Sequence, residues 1–181
     1  MSTFLTADPH FFHEGIIKLC GRPFANAHEM NDAMRAAWNG VVKASDDVIV
    51  VGDFAHRAGD PKALRALFDS LAGRKHLVIG NHDVPALLPW ASTHEALHTS
   101  IDNVAVTLCH YAWRVWPRQR RGAVMLYGHN HGRLPGNRQS CDIGVDVLGW
   151  APVRMSRIKQ HLATLLPLAD PEADLDGGLT P

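Results

Sequence analysis

Apolar residues in this chain come in short blocks, and most blocks end on a glycine or an acid. Val48-Ile49-Val50-Val51 is unbroken between Asp47 and Gly52, the pattern of a strand covered on both faces. His76-Leu77-Val78-Ile79 repeats it ahead of Gly80, and Thr3 to Thr6 is a shorter strand ending at Ala7-Asp8. Val104 to Cys109 and Ala123 to Tyr127 alternate as strands do, and Ser140 to Val147 reads as one more. Helical spacing is clearest from about His28 to Val42, where Met30, Met34, Ala37, Trp38 and Val41 recur on one side. Asp60-Pro61 supplies a capping residue and a first-turn proline for a helix with Leu64, Leu67, Phe68 and Leu71 on its inner face, ending at Gly73. One or two helical turns are expected from Glu14 to Leu19, stopped by Cys20-Gly21-Arg22-Pro23. Pro85 to Trp90 reads as a short helix or turn, and Val153 to Leu166 as a final helix.

Strands alternate with helices in the first half, and strands dominate the second. That order predicts an α/β sandwich, two packed sheets with helices outside. At 181 residues the chain suits one domain, placed at 1–168. Residues 169–181 are acidic, with glycine and proline, and read as a disordered tail. No apolar run is long enough to cross a bilayer, and no basic-then-apolar leader opens the chain. The reading is of a cytoplasmic protein with no membrane partner.

Charge and cysteine usage change this picture little. Formal net charge is zero, so the whole molecule exerts no pull on a polyanion. From Asn103 to Cys141, however, there is no acidic residue, while Arg114, Arg118, Arg120, Arg121, Arg133 and Arg138 all fall inside. A local basic surface follows, or simply a solvated loop. The three cysteines lack paired spacing, which argues against a disulfide framework or a zinc knuckle.

The chemistry sits where the strands end. Asp8-Pro9-His10, Gly52-Asp53, Gly80-Asn81-His82-Asp83, His110 and Gly128-His129-Asn130-His131 each follow a strand-like run. Open α/β sheets bind ligands beyond the carboxyl ends of their strands, and glycine lets the backbone approach an ion closely. Carboxylate, imidazole and amide donors without thiolate suit manganese first, with iron, zinc, nickel or cobalt as alternatives. A single carboxylate can hold two cations, and Asp53 is the natural bridge. Two divalent cations would acidify a hydroxide between them for in-line attack on phosphorus, with an imidazolium protonating the departing group.

The ordered set Asp-x-His, Gly-Asp, Gly-Asn-His-Asp, His, Gly-His-x-His resembles that of the calcineurin-like metallophosphoesterases, and the segments around Ile16-Ile17-Lys18, Cys20 to Phe24 and Gly144 to Val147 look like a compact bacterial and phage branch. The resemblance implies a four-layer αββα sandwich of two mixed sheets. It implies one divalent metal held by Asp8, His10, Asp53 and His131, and a second held by Asp53, Asn81, His110 and His129. It also implies that His82 is catalytic and that Asp83 orients it. The implied activity is hydrolysis of phosphodiesters or phosphomonoesters, with a small nucleotide as the first substrate class to test. Nucleic-acid cleavage or end-trimming is a second reading, and a scaffold that keeps its metals without catalysis a third.

Around this set lie further candidates. His56 and Arg57 follow Asp53, and His13 and Arg22 lie in the first loop, where they could meet substrate oxygens or belong to solvated loops and caps. Arg114 or Arg133 could clamp a phosphate, and Trp113 or Trp116 could stack on a base. Cys20, Cys109 and Cys141 read as small packing residues.

Overall fold

Strands covered on both faces need material on both sides, and the fold supplies it with helices on one side and a second sheet on the other. A computed structural model describes residues 1–56 and 60–168. The acidic tail from 169 onward and Arg57 lie outside the described residues. The chain runs β1 (Thr3–Thr6), α1 (Glu14–Cys20), α2 (Ala27–Val41), β2 (Asp47–Val51), α3 (Pro61–Ser70), β3 (Arg74–Val78), β4 (Ser92–His94), β5 (Ala96–Ile101), β6 (Val104–Cys109), β7 (Val124–Tyr127), β8 (Ser140–Asp142), α4 (Val145–Leu148), β9 (Val153–Arg154) and α5 (Met155–Thr164). The first sheet has the order β4-β3-β2-β1-β9 and the second β5-β6-β7-β8. Both are mixed: β9 is antiparallel to β1, and β5 to β6, while every other pairing is parallel.

Alternation assigns each strand residue to a core. Phe4, Val48, Val50 and Leu77 face the helices and pack with Met30, Met34 and Trp38 of α2 and Leu64, Leu67 and Phe68 of α3. Leu5, Ile49, Val51 and Val78 face the other way, onto Val106, Leu108, Val124 and Leu126 of the second sheet. On the far side of that sheet, Cys109, Met125 and Tyr127 pack under Trp116. The architecture is therefore two packed mixed sheets flanked by helices. No helix among the described residues is long and apolar enough to cross a membrane.

Local chemistry sets the element ends. Asn26 caps α2 by accepting a hydrogen bond from the Glu29 N–H at 2.9 Å, and Asp60 caps α3 through Lys62 N–H at 3.0 Å. Three expectations need correction. Ser140 to Val147 is not one strand: β8 stops at Asp142, whose Oδ1 accepts from Gly144 N–H at 2.7 Å and turns the chain into α4. Val153 and Arg154 do not start a helix but form β9, because β1 needs a partner on its open edge. Strands β4 and β5 were not expected, since Ser92-Thr93-His94 has no apolar residue and β5 is mostly half-exposed or exposed.

The arginine-rich stretch also differs from expectation. Trp116 is buried, donating to Ala123 O at 2.8 Å, and Trp113 packs edge-on to His98 at 5.8 Å. Trp116 is part of the cover of the second sheet and presents no face for a base, while Trp113 is half-buried beside His98.

Trp38 shows how strongly α2 is tied down. It is 2% exposed, and its indole N–H donates to Ala72 O at 2.9 Å. Trp38→Ala is expected to cost about 3–5 kcal/mol of unfolding free energy, read as a lowered urea midpoint. A loss under about 1 kcal/mol would mean that the helix layer contributes little to the core.

Candidate metal centre

The polar turns after β1, β2 and β3 meet those after β6 and β7 at one rim of the sandwich. Past the strand proper, the first two turns keep running side by side: Asp8, His10 and Phe11 N–H donate to the carbonyls of Gly52, Asp53 and Phe54 at 3.0–3.1 Å. Asp8, His10, Asp53, His129 and His131 all adopt positive φ, between 49° and 69°. Non-glycine residues avoid this region, and where they occupy it the surroundings must hold them there. Among the described residues nine non-glycine residues do so, and five of them are these. The strain is therefore concentrated on the candidate ligands.

Among the described residues three groups of possible ligands result; one of them, Cys20 with Asp146, shares His131, and the other two form the rim. Asp8, His10 and His131 form one, and Asp53, His110 and His129 the other; within each group a ligand atom from every residue lies within 4.8 Å of the rest. Each draws on both sheets. Asp53 stands between them, with Oδ2 3.5 Å from His10 Nε2 and 3.3 Å from His110 Nε2. Asn81 joins the second group, its Oδ1 3.1 Å from His110 Nε2. Gly52 and Gly128 make the approach possible. A Cβ on Gly52, whose φ is +84°, would enter the His110 ring, and one on Gly128 would sit 2.5 Å from Asp8 Oδ2.

The donor set fits divalent cations. Asp8 Oδ1 and His10 Nε2 are buried with no hydrogen-bond partner, although such groups are nearly always paired. Burial pushes the Asp8 carboxyl well above its usual range. Burial also brings the His10 imidazole down to about 3, leaving it neutral and ready to donate a lone pair. Burial would raise Asp53 too, but His110 and the His82 backbone N–H hold it at about 2. Burial works to lower His110, and the facing Asp53 carboxylate outweighs it, so the imidazole ends above its ordinary value. Carboxylate, imidazole and amide are donors for borderline and hard divalent ions.

Residues 1–148 match the family model of calcineurin-like phosphoesterases. The chain belongs to the calcineurin-like phosphoesterases. Members of this metallophosphoesterase family work with divalent metal ions, and the two groups above are where this one could hold them. The chain is 29% identical over 166 residues to the uncharacterised protein MJ1445 of Methanocaldococcus jannaschii, covering 86% of this chain and 88% of that one. It is 25% identical to the gene 66 protein of Mycobacterium phage L5, over 82% of this chain and 88% of that one. In fold it is similar to a protein of unknown function, AQ665, from Aquifex aeolicus, with a TM-score of 0.67, 19% identity and coverage of 88% and 98% of the two chains.

Arg22 holds a different place in this phosphoesterase than expected. Arg22 is not available to substrate. It is 4% exposed, and its guanidinium donates to Asp8 O, Pro9 O and both oxygens of Asp146 at 2.8–2.9 Å. It braces the turn that carries Asp8 and His10. Asp83 holds the turns together: its carboxylate accepts from Asp53 and Gly80 N–H at 2.8 Å and from Phe54 N–H at 2.9 Å. Those three bonds fix the loops bearing Asp53 and His82.

Of the remaining candidates, His56 stacks on His13 with ring centroids 4.2 Å apart, and His13 lies 6.3 Å from the His82 ring. Arg133 is exposed and donates to Leu19 O at 2.8 Å; Arg114 is exposed on the loop after β6. Sequence reasoning did not single out Asp142 and Asp146. Asp146 accepts from His131 Nδ1 at 2.7 Å and pairs with Arg22, which fixes the ring so that Nε2 is free to face an ion. Burial works to raise Asp146, but these partners hold it below its usual range. Asp142 accepts from Gly132 N–H at 2.9 Å and so closes the turn after His131. Their signal was lost inside a stretch read as strand.

Asp8 and His110 bind protons more tightly folded than unfolded. The metal-free protein should therefore lose stability as pH rises through their raised pKa values, and a cation must displace those protons. Mn²⁺ affinity by calorimetry is expected to fall as pH is lowered from about 8 to about 6, and the melting-temperature gain from Mn²⁺ to shrink with it. A pH-independent gain would mean that these groups do not bind the ion. Gly128→Ala should keep the native circular-dichroism spectrum and weaken Mn²⁺ by about tenfold or more; unchanged affinity would remove Asp8 from the ligand set.

Proposed function

We propose that this protein hydrolyses phosphate esters at a two-metal centre bridged by Asp53. The observation that carries this reading is the position of Asp53 Oδ2, 3.5 Å and 3.3 Å from the Nε2 atoms of His10 and His110, which belong to different ligand groups. One ion would rest on Asp8, His10, Asp53 and His131, and the other on Asp53, Asn81, His110 and His129. Manganese is the first candidate metal by donor type, with iron, zinc, nickel or cobalt next. When bound, such a pair supplies an acidified water as nucleophile and positive charge against the phosphoryl oxygens.

The chain's own groups do the rest. Asp8 and Asp53 fix the negative charge that holds the centre together. The His82 backbone N–H donates to Asp53 Oδ1 at 2.8 Å, so the loop carrying His82 is set against the bridge. Its ring lies 5.4 Å from that of His10 and only part-buried, at the mouth of the centre. That is the place from which an imidazolium protonates the departing alcohol oxygen. Asp83 keeps this loop from moving by its three backbone hydrogen bonds. Substrates are small phosphate esters, nucleotides first among them.

Purified protein with Mn²⁺ is expected to cleave bis-p-nitrophenyl or p-nitrophenyl phosphate; cleavage of neither would favour a scaffold role. Asp53→Asn should lose activity by about 100-fold or more and weaken Mn²⁺ in parallel, and full activity would refute the bridge. His82→Ala should slow alkyl esters by about 10²–10⁴-fold while leaving p-nitrophenyl esters within a few-fold, because p-nitrophenolate departs without a proton. Equal losses on both would place His82 outside proton donation.

A further inference from the structure

His82 has two sides. One faces the metal ligands, with the His10 ring 5.4 Å away. The other forms the end wall of a cleft with about 500 Å³ of free space, its open mouth included, lined by Phe54, Leu64, Val84, Leu87, Leu88 and Trp90 among others. Trp90 is fixed in the wall by two rings that also touch each other, edge-on to Phe54 at 5.2 Å and to Phe68 at 4.9 Å. At the rim Val84 and Leu87 are 45% and 50% exposed, an apolar patch with no evident packing duty. Among the described residues, the polar groups on the lining are His56, His82, Asp83 and the Trp90 indole N–H, and both Asp83 oxygens are taken by backbone N–H groups. No lysine, arginine or glutamate is among the described lining residues.

We propose that this cleft receives the alcohol side of the ester, and that the protein selects phosphate esters whose leaving group carries an apolar or aromatic ring. The inference rests on the phosphoesterase reading and on His82 as proton donor. As the bond from phosphorus to the ester oxygen breaks, a hydroxide oxygen bonds to phosphorus and the alcohol leaves with the proton from His82; the proton lost when water became hydroxide replaces it by way of solvent. The departing oxygen must then lie against His82, and whatever it carries must extend away from the metal ligands. Beyond His82 on that side lies the cleft. Its walls offer ring faces and aliphatic carbon, and few hydrogen-bonding groups that could read a polar edge. An apolar ring is the occupant that loses least by entering it.

The test compares 2-phenylethyl phosphate with ethyl phosphate on the Mn²⁺-loaded protein, together with the corresponding methyl diesters. The two alcohols are close in acidity, so a difference reports recognition and not chemistry. The expected kcat/KM ratio is about tenfold or more in favour of the phenylethyl ester. Leu87→Asp and Val84→Asp should each bring it towards one, while Val115→Asp, a charge placed on an unrelated exposed loop, should leave it as it was. A ratio near one in the unmodified protein, or one that survives both cleft substitutions, overturns the proposal. Calorimetry with 2-phenylethylphosphonate and ethylphosphonate, which cannot be hydrolysed, separates the two readings. Tighter binding of the phenylethyl compound without turnover of any ester keeps the cleft and overturns the phosphoesterase reading; turnover without that preference does the reverse.

Discussion

An Asp8 carboxylate with no exposure and one oxygen without a hydrogen-bond donor is the constraint on which the rest of the site is built. Such a group costs a folded protein several kcal/mol unless something positive compensates it. Neither Arg22 nor any backbone N–H is aimed at Oδ1. Arg22 contacts the backbone carbonyl of Asp8 instead, and His129 N–H takes the other carboxylate oxygen. The side chain facing that oxygen is His110, with Nδ1 3.9 Å away, and the Asp8 carboxylate shares a group of possible ligands with His10 and His131. The positive φ angles of these turns belong to the same logic, since each turns a side chain inward at the expense of backbone comfort.

A second ring of contacts keeps the ligands in place without touching an ion. Arg22 and Asp146 link the first loop to the ligand His131 in the turn after β7. Asp83 does the same for the turns after β2 and β3. These groups are buried or half-buried and spend their hydrogen bonds on backbone or on one another. Ligand geometry is thus supported by residues from α1's neighbourhood, the turn after β3, and α4.

Much of this was legible in the chain. The runs at Val48 to Val51 and His76 to Ile79 are long and apolar enough to force buried strands, and a glycine followed by Asp53 or Asn81 marks a sharp, polar turn. The ordered ligand set gave the family. Less legible were contacts that depend on distance in space. Arg22 follows a helix end and looks like any loop arginine until Asp146 is folded against it, 124 residues away. Asp83 sits next to His82 in the chain, and only the folded turn directs its oxygens to backbone N–H groups. Ser140 to Val147 carries an alternation that the Asp142–Gly144 hydrogen bond interrupts. Strand β4 forms because β3 has a free edge, and no pattern within Ser92-Thr93-His94 could announce that.

Each ligand group takes members from both layers: Asp8 and His10 against His131, and Asp53 against His110 and His129. A cation bound there acts as a rivet through the sandwich. Binding strength and the cohesion of the two layers are then one thermodynamic quantity, and whatever loosens their seam, even at the opposite end of the molecule, weakens the hold on the ions.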